Sequence, residues 1–170
     1  MVPDGRFEDR AQGGRLLAQE LLRFRGPNVL VMGLARGGLP VALPVARALE
    51  APLDVCVVGR RCPPAYGARR VALGGRTVLL VDDGVATGAT ARAALRSLRR
   101  DGAGRIVLAV PIGAAEALAT LATEADEIVC PFRKHFLPTI GVFYDDFIPL
   151  SDELAAGLLA AAQSRHAKPA

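Results

Sequence analysis

Two adjacent carboxylates, Asp82 and Asp83, close an apolar run and lead straight into a loop of glycine and threonine, TVLLVDDGVATGAT over residues 77–90. A loop that opens a helix offers free backbone N–H groups and the positive end of the helix dipole to an anion. Gly84 and Gly88 let the chain approach a ligand closely, Val85, Ala86 and Ala89 add backbone donors, and the Thr87 and Thr90 hydroxyls can donate to phosphate oxygens. The carboxylates would repel a phosphate. They suit ribose hydroxyls, or water on a magnesium ion, beside the anion cradle. A phosphate site next to a polyol site describes a sugar phosphate. A bare Asp-Asp-Gly would be no more than a strand end and a helix-capping turn. The full order of apolar strand, two acids, Thr-Gly-Ala-Thr and helix points to the sugar phosphate. The segment has neither the Gly-Lys-Ser/Thr of a P-loop nor a GxGxxG dinucleotide fingerprint.

The elements that must position this loop are short apolar runs alternating with helical patterns. Strands are expected at 28–33, 53–58, 77–81, 105–110 and 126–130, and helices at 7–22, 40–49, 89–100 and 114–122, with a last helix opening at Ser151 as N-cap. Continuously apolar strands separated by helices imply a parallel sheet covered on both faces. The right-handed crossover rule then favours an α/β, open, doubly wound sheet of about five strands. In such sheets ligands bind at the C-terminal strand ends, where Asp82 and Asp83 lie. The longest irregular stretch runs from Gly59 to Arg76, and RRVAL at 69–73 is a candidate short strand within it. The 170 residues fit one domain, 1–170.

Hydrophobic residues make up 51% and charged residues 22%, which excludes a disordered chain. The net charge of +4 is too small to imply nucleic acid as a partner. No uncharged apolar run approaches the ~20 residues of a membrane span, and MVPDGRFEDR lacks the pattern of a signal peptide, so a cytoplasmic setting is expected. Cys56, Cys62 and Cys130 are odd in number and lack CxxC spacing, which supports neither a disulfide framework nor a zinc site.

VLLVDDGVATGAT, residues 78–90, resembles the signature of type I phosphoribosyltransferases, which bind 5-phosphoribosyl 1-pyrophosphate (PRPP). The resemblance implies that Asp82 and Asp83 hold the ribose 2′- and 3′-hydroxyls and form the catalytic pair, with the 5′-phosphate on the loop from Gly84 to Thr90. GLARGGLPVA at 33–42 resembles the family's pyrophosphate loop, placing Ala35, Arg36, Gly37 and Gly38 at the contact positions behind a cis peptide before Arg36. Arg60 and Arg61 stand where the family often carries a basic pair reaching the pyrophosphate. The matching mobile loop, Cys62 to Arg76, is short, so the aromatic stretch 136–147 is expected to complete the cover. The resemblance also implies a small hood from residues 1–25 and 131–165, with Phe143 and Tyr144 as acceptor-binding candidates beside Phe136 and Phe147. Asp145 and Asp146 are further candidates for base edges, whereas His135 and His166 read as surface residues. Mg2+ is implied as cofactor, held through PRPP and water near Asp82 and Asp83 rather than directly by protein.

The function implied is PRPP-dependent transfer of the 5-phosphoribosyl group to a nitrogenous acceptor, such as a purine or pyrimidine base, with release of pyrophosphate. The rival is a PRPP- or nucleotide-sensing regulator that keeps the site without turnover. A basic face gathering Arg96, Arg99, Arg100 and Arg105 would turn that rival toward nucleic acid. Dimers are common among such proteins, and no membrane partner is expected.

Overall fold

The computed structural model describes residues 5–59, 64–67 and 71–167. Five strands form one parallel sheet: β1 (Val29–Leu34), β2 (Leu53–Cys56), β3 (Thr77–Val81), β4 (Arg105–Ala109) and β6 (Glu127–Val129), in the order β2-β1-β3-β4-β6. A two-stranded parallel ladder, β5 (Ile112–Ala114) with β7 (Phe132–Lys134), stands apart. The helices are α1 (Arg10–Leu21), α2 (Gly38–Leu49), α3 (Ala89–Arg100), α4 (Ala115–Leu121) and α5 (Asp152–His166).

The alternation of side chains along each strand divides the core. Val29, Val31, Leu79, Val81, Val107 and Ala109 pack under α1, α2 and α5. Leu30, Met32, Val78, Leu80, Ile106 and Leu108 pack under α3 and α4. Every residue of β1 is buried, as a strand covered on both faces must be. β3 is the middle strand, bonded to β1 from Val29↔Thr77 to Gly33↔Val81 and to β4 from Thr77↔Arg105 to Val81↔Ala109. It therefore delivers Asp82 and Asp83 to the centre of the sheet's C-terminal edge.

Departures from the expected bounds have local causes. β2 ends at Cys56 because its neighbour β1 ends at the paired Leu34. α1 begins at Arg10 because Asp9 caps it by accepting from the Gln12 N–H, and Phe7 instead bridges to Tyr144. Gly38 and Leu39 join the first turn of α2. Val71 to Leu73 are not in a strand; Val71 donates its N–H to the buried Asp54 carboxylate instead, and the rest of RRVAL lies outside the described residues.

A third cluster covers the strand ends. Phe7, Ile112, Leu137 and Tyr144 are buried together, with Phe132, Ile140, Phe143 and Phe147 packed against them. Phe7 donates its N–H to the Phe143 carbonyl and accepts from the Asp145 N–H, tying the N-terminal segment to residues 143–145.

Candidate functional site

Asp82 and Asp83 follow the last residue of β3 and are both half-buried. The Asp83 N–H donates to Asp82 Oδ1 at 2.9 Å, so the pair is locked to its own backbone. Arg10, from the first turn of α1, donates through Nε to Asp83 Oδ2 at 2.9 Å. The buried Tyr144 donates its hydroxyl to the Asp83 carbonyl at 2.7 Å. Burial, with the charge of Asp83 beside it, pushes the Asp82 carboxyl well above the usual carboxylate range. Burial also raises Asp83, although the Arg10 hydrogen bond and charge oppose the shift. The charge of Arg10 does not fully offset the burial of the pair.

The start of α2 lies against this pair, and α3 starts a few residues after it in the chain. α2 and α3 begin on Gly37 and Gly88, which offer no side-chain cap, as does α4 on Ala114, whereas Asp9 and Ser151 cap α1 and α5. Their first-turn N–H groups are therefore not satisfied by a capping side chain, the condition that suits an anion. Thr87 accepts only a long contact from the Ala89 N–H, at 3.4 Å, and both Thr87 and Thr90 are exposed. The loop from Gly84 to Thr90 is braced from behind. Val85 donates to the Ile112 carbonyl and accepts from the Ala114 N–H, and a Cβ at Gly84 would run into Ile140. Val85 is buried by this bracing and Ala86 packs on the third cluster.

The turn of Ala35, Arg36, Gly37 and Gly38 lies directly on the acids, and its Ala35–Arg36 peptide is cis. A side chain at Gly37 would overlap Asp83 Oδ2, and one at Gly38 the Val81 carbonyl oxygen. Only glycine allows that approach. Arg36 is exposed beside it. The turn before α2 thus meets the acid pair at the end of β3, and the loop runs on from that pair to α3. Arg60 and Arg61 lie outside the described residues, as does Cys62. Of the segment after them, Tyr66 is buried in the core with Ala155, Ala156 and Leu159 of α5.

The aromatic candidates separate. Phe136 is 80% exposed. Phe143 is half-buried, with Lys134 Nζ 5.7 Å from its ring centre. Tyr144 has Phe7 on one side and Phe147 on the other, at centroid distances of 5.1 and 5.4 Å. Packing and its bond to Asp83 occupy this residue, so it is placed to support the acid pair and not to stack on a base. Asp145 and Asp146 are exposed, Asp145 paired with Arg6. His135 and His166 are exposed too.

Three of the four arginines of the expected basic face are paired within the protein: Arg96 and Arg99 of α3 with Glu124 and Asp126, and Arg105 of β4 with Glu127, while Arg100 is exposed. Sequence reading missed Arg10 altogether; the one signal available was an arginine just after a helix-capping Asp.

A profile of the phosphoribosyl transferase domain matches residues 7–135, which spans α1, the whole five-stranded sheet and both anion-ready helix starts. The chain belongs to the phosphoribosyl transferase domain family. Rv0571c of Mycobacterium tuberculosis, named provisionally as a phosphoribosyl transferase, is 36% identical over 204 aligned positions, covering 90% of this chain and 46% of its own length. The chain thus spans about half of that relative. Among solved structures, TT1426 from Thermus thermophilus superposes with a TM-score of 0.82 at 30% identity, over 92% of this chain and 99% of its own. Purine phosphoribosyltransferase from Pyrococcus horikoshii shares the fold at a TM-score of 0.57 and 22% identity, over 84% of this chain and 93% of its own. The α/β parallel sheet with helices on both faces is the phosphoribosyl transferase architecture.

No group of three or more His, Cys, Asp or Glu is placed to hold a metal ion among the described residues. The phosphoribosyl transferase family implies Mg2+ with PRPP, and the donor set fits that use. Mg2+ retains several waters and is commonly held through substrate oxygens rather than in a protein cage. An acid pair raised by burial is one whose charge a nearby cation and hydroxyl donors would offset. No described helix is long and apolar enough to cross a membrane.

Proposed function

We propose that this chain binds PRPP and transfers its 5-phosphoribosyl group to a nitrogenous acceptor, releasing pyrophosphate. One observation carries the reading: an under-compensated acid pair at the central strand end, flanked by two uncapped helix starts. Ribose hydroxyls would donate to Asp82 and Asp83. The 5′-phosphate would sit on the Gly84–Thr90 loop, and pyrophosphate on the turn from Ala35 to Gly38 with Arg36 as its charge partner. Arg60 and Arg61 are assigned to pyrophosphate on the resemblance alone.

In the reaction the C1–O bond to pyrophosphate breaks as a C1–N bond forms, through an oxocarbenium-like transition state. Pyrophosphate takes the bonding electrons, and the acceptor nitrogen gives up its proton. The chain's residues act by placement and electrostatics, and no covalent nucleophile is needed. The anion loops hold the two phosphate groups while the carboxylates fix the ring and favour its growing positive charge. When bound, Mg2+ supplies charge neutralisation on ribose and pyrophosphate oxygens; Asp82 and Asp83 would face its waters.

Calorimetry with PRPP and magnesium, followed by a screen of purine and pyrimidine bases for pyrophosphate release, tests the assignment. Binding with release on one base is the expected result. Binding with no release on any base would favour the sensing regulator, and no binding would end both readings.

A further inference from the structure

Asp83 is held by a residue with no part in the proposed reaction, Arg10. Arg10 is 11% exposed in its side chain and Asp83 is 13% exposed, so the pair is largely out of water. Three groups fix the guanidinium. Nε donates to Asp83 Oδ2 at 2.9 Å, Nη1 donates to the Ile148 carbonyl at 2.8 Å, and the Phe147 ring centre lies 3.9 Å from Cζ. An arginine serving only solubility would keep its head in water. Desolvating this one is costly unless its geometry is well satisfied, as it is here.

The approach of α1 that puts Arg10 there is built in. A Cβ at Gly14 would overlap the Val41 carbonyl oxygen of α2, and one at Gly13 would stand 3.2 Å from Tyr144 Oη. Small residues thus seat the helix against α2 and against the tyrosine that also holds Asp83. The groups facing Asp83 are Asp82 from its own strand end, Arg10 from α1, the Tyr144 hydroxyl on its carbonyl, and the backbone of Gly37 from the α2 turn.

We propose that Arg10 is a positioning residue for the ribose site. With Oδ2 held by Arg10 and the main-chain carbonyl held by Tyr144, the Asp83 carboxylate is fixed beside Asp82 in the orientation the ribose site would use. The guanidinium reaches Asp83 and Ile148 from two different nitrogens while stacked on Phe147. A lysine ammonium is a point donor and does not reproduce that planar fork. Arg10 therefore also couples the 147–148 segment to the ribose site. This inference rests on the ribose assignment of Asp83 made above.

The test compares ribose 5-phosphate with inorganic phosphate, because the gain of the first over the second reports the sugar contacts. In the wild type ribose 5-phosphate is expected to bind more tightly. Arg10→Gln is expected to cut that gain about tenfold, the order set by misplacing one charge-assisted hydrogen bond. Inorganic phosphate should change by less than about twofold. Arg10→Lys keeps the charge and should behave like Arg10→Gln. Phe147→Leu, which leaves Arg10 in place but removes the ring, should give a milder loss in the same ratio, and it keeps the question open to test if the Arg10 variants do not fold. Equal weakening of both ligands, or full rescue by lysine, would show a general electrostatic role and overturn the proposal. A gain untouched in every variant would also overturn it while leaving the ribose assignment standing. A wild type with no gain at all would instead remove the ribose assignment, and the proposal with it.

Discussion

Asp83 with Arg10 and Asp126 with Arg99 are the same chemical pair in two settings, at 2.9 and 2.7 Å. Their carboxyls move in opposite directions. At Asp83, burial outweighs the arginine and the acid is raised. At Asp126, a smaller burial effect also pushes upward, but the Ile106 N–H, Arg99 and Arg105 together bring the acid below its ordinary value. The α3 face is a compensated network, and the strand end is an uncompensated one. Where the arginines are many and wet, charge is settled within the protein. Where one arginine serves two buried acids, a deficit remains for a ligand to fill.

Linkage gives the two regions opposite signs. An acid raised in the folded state loses stability for the protein as pH rises from its unfolded value through its folded one. A lowered acid contributes stability that is present above the unfolded value, about 3.9 for Asp, and lost as pH falls through the folded one. The strand-end acids should therefore cost the ligand-free protein stability at neutral pH, while Asp126 adds to it.

The largest effect expected is on binding. Asp82→Asn combined with Asp83→Asn should weaken PRPP at least ~100-fold, from two lost contacts of ~1.5–3 kcal/mol each to charged groups. Asp82→Asn alone, which leaves the Arg10–Asp83 pair intact, should melt at a higher temperature than the wild type at neutral pH when no ligand is present. Unchanged affinity in calorimetry with magnesium, or a lower melting temperature, would break the comparison at its buried end.

Gly37→Ala comes next. Its methyl would overlap Asp83 Oδ2, so either the turn or the acid must shift. A destabilisation of ~1–3 kcal/mol is expected from such overpacking, together with weakened PRPP binding. A urea melt and a titration on the same sample would show whether the two losses occur together. Thr87→Val should weaken PRPP by ~1–3 kcal/mol, the cost of one hydrogen bond to a charged group, with melting temperature little altered. No change in affinity would leave Thr87 a turn residue.

The smallest effect sharpens the exposed end. Asp126→Asn should cost less than about 1 kcal/mol at neutral pH, as expected for a partly exposed pair. The difference from the wild type should close as pH falls from about 3.9, the unfolded value, through the lower value of the folded carboxyl. Melting curves at several pH values would read it directly. If Asp126→Asn and Asp82→Asn moved the melting temperature the same way, the contrast between the regions would collapse.

Much of the site's position was legible because its signals are local. The run from Thr77 to Thr90 carries its strand, acids, loop and helix in fourteen consecutive residues, and the structure sets them in that order. The five sheet strands could be read from apolar runs. β5 and β7 could not: each has three residues, Ile-Gly-Ala and Phe-Arg-Lys, and neither carries a strand pattern of its own. Their role is tertiary, bracing Val85. Arg10 was illegible for the same reason, since its partner Asp83 lies 73 residues away and its only local mark is the helix-capping Asp9 before it. The aromatic residues near 143 were visible as a group, but which ring supports Asp83 depends on Phe7, far off in the chain.

That distant pairing also sets an order in time. Phe7 exchanges backbone hydrogen bonds with Phe143 and Asp145, so the support beneath Asp83 closes a loop nearly as long as the chain. Contacts of such separation lose the most chain entropy and are slow to form. The sheet needs no residue beyond Val129, whereas Tyr144 reaches Asp83 only after residues 143–145 have been made. Synthesis from the N-terminus therefore makes the acid pair and the strands β1, β3 and β4 around it before the tyrosine whose hydroxyl supports Asp83.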